Sequence, residues 1–215
     1  MDFWGFIISI VLGFLLSGIW FGFCFIIGAL ISKLKILWLL YLNSVLGSII
    51  PTLFIAATMG LYPIQINGMQ NKRVYFAAIV TVVITTAVIT RKKSKKCRKG
   101  KDLLIWGLDG ILMEIPQRLM MQSFVYGILK LLGVSSINFY TIIATALIWC
   151  MGIGMQTVLA KKPLDGDLFF DILSSFIFSL GIGYVYQQTG LIVITMMAHF
   201  SERVLSSSFL RKRFS

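Results

Sequence analysis

Long apolar stretches follow one another almost from end to end of this chain, at about 3–31, 36–61, 74–90, 102–132, 137–159, 168–186 and 191–209. A helix needs about 20 apolar residues to cross the hydrocarbon of a bilayer. No water is available there, so each crossing segment must satisfy its own backbone polar groups, which favours helices. The pattern predicts an all-α, polytopic transmembrane bundle of about seven spans, and 215 residues leave no room for a separate soluble domain.

Composition agrees. Charged residues make up 13% of the chain and hydrophobic residues 58%, whereas a soluble domain carries about 25% charged residues. The net charge of +12 would suit nucleic acid, but the basic residues collect at segment ends, where topology requires them, and nucleic acid is rejected as a partner. Cys24 and Cys150 fall inside apolar stretches and read as packing residues. Cys97, in a basic loop, reads as an unmodified thiol. The N-terminus lacks a basic start and a small-residue cleavage site, so the first apolar stretch reads as a retained helix.

Alternate loops differ in sign. One set carries Lys33 and Lys35, eight basic residues within Arg91–Lys101, Lys161 and Lys162, and Arg211 to Arg213; the other set carries Lys72, Arg73 and Lys130. The excess of basic residues on cytoplasmic loops predicts an outside N-terminus and a cytoplasmic C-terminus. Arg91–Lys101 also has the charge to attract anionic lipid headgroups, although a topology anchor is the simpler role.

Six ionisable residues interrupt two of the apolar stretches: Asp109, Glu114 and Arg118 on the fourth, and His199, Glu202 and Arg203 on the last. Such groups are costly at membrane depth, face the bundle interior and mark functional sites. At about 1.5 Å per residue, Glu114 counted from Asp102 and His199 counted from Arg211 both lie roughly 18 Å deep. Asp109 and Arg203 both lie about 10–12 Å deep by the same arithmetic. Two antiparallel helices would therefore pair Glu114 with His199 and Asp109 with Arg203. Glu114 and Arg118 share a helix face. Gly107 and Gly110 permit close helix approach, and Pro116 frees a carbonyl one turn earlier or bends the span. Asn43 and Gln122 read as interhelical hydrogen-bonding groups. Two interpretations stand at this point: a water-containing site in which Glu114 acts as a general base, or an ion-pair network that only fixes helix register.

The segment Met113-Glu114-Ile-Pro-Gln-Arg118 resembles the Glu-Glu-x-x-x-Arg motif of the CPBP family, the CAAX-protease and bacteriocin-processing (Abi) membrane proteins. A second likeness is longer: Gly181-Ile-Gly-Tyr-Val-Tyr-Gln-Gln-Thr-Gly190, an apolar rise from Leu191 to Ala198, then His199-Phe-Ser-Glu-Arg203. The resemblance covers roughly 102–209. It implies a division into N-terminal helices and a basic loop over 1–101 and a CPBP-like core over 102–215. The Ile- and Lys-rich composition fits an AT-rich bacterial genome, and with it a bacterial cell membrane.

The resemblance also implies what is missing. Met113 stands where the family has the first glutamate of its pair. The middle motif's histidine has no counterpart between Thr145 and Gly154, with Gly152 at the degenerate position. Arg203 replaces an Asn or Asp four residues after the histidine. Glu114 and His199 are thus vestigial or divergent catalytic candidates, with Arg118, Asp109, Glu202 and Arg203 in support. No metal site is expected, since zinc wants three protein ligands, and no cofactor is expected; a divalent metal such as zinc enters only if the protein is active. The favoured expectation is a pseudoprotease that binds membrane proteins or peptides within the bilayer as a scaffold, regulator or immunity-type factor. The alternatives are an active, divergent intramembrane endopeptidase using Glu114 and His199, and a small transporter component, against which the lack of an internal repeat argues.

Overall fold

A computed structural model describes residues 2–92 and 100–214, with side chains described as far as 209. Most of the basic stretch 91–101, and Cys97 within it, lies outside the described residues. The order is α1 (Asp2–Lys33), a 3-10 turn (Leu37–Leu42), α2 (Asn43–Thr58), α3 (Ile66–Met69), α4 (Lys72–Ile89), α5 (Lys101–Glu114), a π-helical segment (Ile115–Gln122), α6 (Ser123–Leu131), α7 (Ile137–Leu159), α8 (Gly166–Thr189) and α9 (Ile192–Phe214). No strand occurs among the described residues.

Five helical segments are long and apolar enough to cross a membrane: Asp2–Lys33, Leu37–Thr58, Lys72–Ile89, Ile137–Leu159 and Gly166–Thr189. Their outward faces are apolar. On α1 alone, Trp4, Val11, Leu15 and Phe25 are exposed, an arrangement that suits lipid and would be a liability in water. The chain is an integral membrane protein. The helical paths over 101–131 and along α9 carry the interior charges.

Local chemistry sets the element ends. Asn71 caps α4 by accepting from the Arg73 amide, and Asp165 caps α8 by accepting from the amides of Asp167 and Leu168, as N-cap side chains do. Helix α8 ends at Gly190 in the left-handed region, φ 67°. A Cβ there would run into the backbone of Pro63 and Ile64, so only glycine fits this turn. Gln65 donates its amide to the Thr189 carbonyl at 2.9 Å. The short α3 was not expected from sequence; its four residues, Ile-Asn-Gly-Met, lie against this end of α8, where a Cβ on Gly68 would meet the Gln188 carbonyl.

The expected single span over 102–132 is one helical path with a widened turn in its middle. Pro116 sits at the start of the π segment. Proline supplies no N–H and its ring collides with the carbonyl one turn back, and the looser i→i+5 pattern relieves both. The Ser123 amide then donates to the Arg118 carbonyl, the five-residue step of a π turn.

Two apolar clusters flank this path. Trp20, Ile55, Met121, Val125 and Ile148 draw α1, α2, the π segment, α6 and α7 together. Val74, Val82, Phe178, Ile182 and Ala198 join α4, α8 and α9. The interior charges lie between the two.

Candidate functional site

Helices α5 and α9 pack closely along their lengths, because α5 offers glycine where α9 offers bulk. A Cβ on Gly107 would meet the Phe200 ring at 2.5 Å, and one on Gly110 would meet Arg203 Cδ at 2.8 Å and His199 Cδ2 at 3.1 Å. Both expected pairs form across this contact. His199 Nδ1 lies 2.6 Å from Glu114 Oε1, and Arg203 pairs with Asp109. Asp109 is at the edge of the site, its side chain 41% exposed, while Glu114 and Arg118 are fully buried.

Every ligating atom of the central pair is engaged. Glu114 Oε2 accepts from Arg118 Nε at 3.0 Å. Glu114 Oε1 takes His199 and also the Gln117 amide at 3.2 Å, while the Gln117 carbonyl accepts from the Trp149 indole. His199 Nε2 accepts from Arg203 Nε at 3.2 Å. The guanidinium of Arg203 further donates to the Trp106 carbonyl at 3.1 Å and lies 3.9 Å over the Trp106 ring, a cation–π contact. Arg203 can donate to Nε2 only if that nitrogen presents a lone pair, so the imidazole proton resides on Nδ1 and points at Glu114. The Phe178 ring closes another side of the imidazole, with centroids 4.6 Å apart.

From Arg118 the polar network runs onward. Arg118 donates to Gln122 Oε1 at 3.0 Å and to the Ser179 carbonyl at 3.5 Å. Gln122 donates to the Gly183 carbonyl and to Gln187, and Gln187 donates to Asn138. The π turn helps here, since it carries Gln117, Arg118 and Gln122 inward together. Sequence reasoning took Gln122 as an interhelical hydrogen-bonding group, which it is, but missed Gln117, Trp149, Trp106, Gln187 and Asn138. A polar residue beside Glu114 in an apolar stretch was a usable signal for Gln117; the partners on other helices left none.

Three sequence candidates lie away from this centre. Met113 packs beside the apolar cluster of α1, α2 and α7. Gly152 turns towards α1, with Ser17 Oγ 3.8 Å from where its Cβ would be. Glu202 is buried, yet its Oε1 has no hydrogen-bond partner. Asn43 is also unlike its expectation in one respect: its Oδ1 is buried without a partner.

The donor set does not fit a zinc centre. Zinc needs three protein ligands with a fourth position open. No group of three or more His, Cys, Asp or Glu residues converges among the described residues, and the oxygens of Glu114 and Nε2 of His199 are already taken by Arg118, Gln117, His199 and Arg203.

Fold and site together define a helical integral membrane protein with a buried glutamate–arginine–histidine centre. Residues 100–204 match the family model described as type II CAAX prenyl endopeptidase Rce1-like, and so carry an Rce1-like domain of the CPBP family. No curated protein and no solved structure matches the chain at a significant level.

Proposed function

We propose that this protein is a catalytically silent relative of the CAAX endopeptidases, resident in a bacterial cell membrane and acting by binding other membrane proteins or peptides inside the bilayer. One observation carries the proposal: Arg203 donates to His199 Nε2, the nitrogen an imidazole would use to take a proton from water or to hold a ligand. A general base must reach the proton it abstracts, and here both Glu114 oxygens and the free imidazole nitrogen are saturated by protein donors. Met113 stands where the family pattern has a second carboxylate and cannot take a proton. What remains is a rigid, fully paired polar core, suited to holding helices in register while the outer faces meet partners. No cofactor is part of this reading.

A second reading rests on the 2.6 Å contact of Glu114 with His199 Nδ1. A carboxylate on Nδ1–H is how an active imidazole is oriented. An active divergent endopeptidase would need Arg203 to swing off Nε2. In the same proposal the basic loops face the cytoplasm, the N-terminus lies outside, and the paths over 101–131 and α9 complete seven crossings. Stretch 91–101 would then sit against anionic headgroups.

The deciding experiment is mild detergent extraction of crosslinked native membranes. A stable complex with another membrane protein is expected. Recovery of the bare chain alone would count heavily against a binding role, and cleavage of a transmembrane or CAAX-type peptide that is lost in Glu114→Gln would replace this reading by the second.

A further inference from the structure

Arg203 has two courses open to it. It lies one turn beyond His199 on α9, so its side chain can fold back along its own helix onto the imidazole. A long basic side chain in the last turns of a span can equally turn the other way and carry its charge out towards the headgroups. Helix α5 decides between the two.

Trp106, Asp109 and Gly110 share one face of α5 and form a seat for the guanidinium. Asp109 accepts from Arg203 Nη1, and the Trp106 carbonyl accepts from the same nitrogen at 3.1 Å. The Trp106 ring lies 3.9 Å from the guanidinium carbon. Gly110 leaves the passage open: a Cβ there would come within 2.8 Å of Arg203 Cδ and within 3.1 Å of both Arg203 Nε and His199 Cδ2. The guanidinium is a rigid plane, so fixing Nη1 also aims Nε, which meets His199 Nε2 at 3.2 Å. Arg118 is held differently. Its partners Glu114 and Gln122 belong to its own helical path, and it is wholly buried. The seat of Arg203 belongs to another helix and reaches the bundle surface at Asp109, whose side chain is 41% exposed.

We propose that Asp109 and Trp106 are positioning residues which, through Arg203, keep the His199 imidazole covered. This rests on the silent reading above, in which Nε2 is the atom withheld from chemistry, and adds its regulation: the cover is supplied by α5 and is released when α5 gives up the guanidinium.

His199 is the chain's single histidine, so its modification has an unambiguous readout. Diethyl pyrocarbonate acylates the imidazole nitrogen that carries a free lone pair, which here is Nε2. The test is its rate of reaction with the purified full chain in detergent, followed at His199 by mass spectrometry. Wild type is expected to react slowly, Arg203→Ala several-fold faster, and Asp109→Asn and Trp106→Leu faster than wild type. Asp109→Glu, which keeps the carboxylate, should return the rate towards wild type. Asp102→Asn, about 10 Å earlier along α5, should leave it unchanged. A merely structural part for Asp109 would lower the Tm without changing the reactivity of the folded protein. A fast Arg203→Ala with Asp109→Asn as slow as wild type would overturn the positioning role and leave the silent reading standing. An Arg203→Ala as slow as wild type would overturn both. Should Asp109→Asn not fold, wild-type reactivity in Trp106→Leu would overturn the seat equally.

Discussion

Arg203 Nε lies 3.2 Å from Nε2 of His199, which places a permanent cation on the imidazole edge that faces away from Glu114. An arginine is always charged and donates in a fixed fork, so it cannot exchange roles with the histidine. On the catalytically silent reading proposed above, this pair is what would let a chain keep Glu114, Arg118 and His199 without keeping chemistry.

Wild-type protein should therefore leave CAAX-type and transmembrane peptides uncut. Arg203→Asn should uncover His199 Nε2 and still give no turnover above background, because Met113 and the α7 face remain without a second base. Mass spectrometry of peptide products checks both. Cleavage by either protein that vanishes in Glu114→Gln would contradict the expectation.

Arg118→Ala should be far more damaging than Glu114→Gln. Arg118 ties Glu114, Gln122 and the Ser179 carbonyl together in a fully buried setting, and its loss strands a carboxylate. Breaking a buried pair in this way costs about 3–5 kcal/mol. The glutamine is neutral and its carbonyl can still accept from Arg118. Folded yield and unfolding midpoint in detergent are the measurements, and equal values for the two variants would argue against the ion pair as a structural element.

Gly107→Leu should loosen α5 from α9. Its first added carbon meets the Phe200 ring, and overpacking of this kind costs about 1–3 kcal/mol. The same change at Gly154, where a Cβ meets nothing within 4 Å, should be nearly neutral. Comparable losses at the two positions would mean that the α5–α9 contact is not tight.

For orientation, single cysteines can be placed in a cysteine-free background at Gln70 and Lys162, both exposed. A membrane-impermeant maleimide on intact cells should label Gln70→Cys and spare Lys162→Cys. The reverse pattern would invert the proposed topology.

Much of the α5–α9 arrangement was legible from the chain itself. Both helices are regular between the membrane surface and the charged residues, so counting residues from Asp102 and Arg211 gives equal depths, and a pair at equal depth forms if the helices touch. The glycines at 107 and 110 signalled that they would. The π turn was not legible, because Pro116 allows a kink, a break or a widened turn alike, and the choice depends on what packs around it. Gly152 illustrates a different failure. Its position in a degenerate motif suggested proximity to the site, but it faces α1, and Trp149 is the α7 residue that reaches the centre, through Gln117. Rotation of a uniformly apolar helix about its axis leaves little trace in its own residues; it is set by the shapes of its neighbours.

The widened turn at 115–122 has a consequence for how this chain tolerates change. A π turn holds one residue more than an α-helix needs for the same hydrogen-bonded loop. Closing that turn into an ordinary α-helix with no residue removed would swing everything downstream by about 100°. Val125 and Leu129, now fully enclosed, would rotate out towards lipid, and Gln122 would lose its hold on Gly183 and Gln187. The phase between the two halves of this path is thus held by the wider hydrogen-bond pattern of that short window, which absorbs one surplus residue, and by whatever packing keeps the turn open.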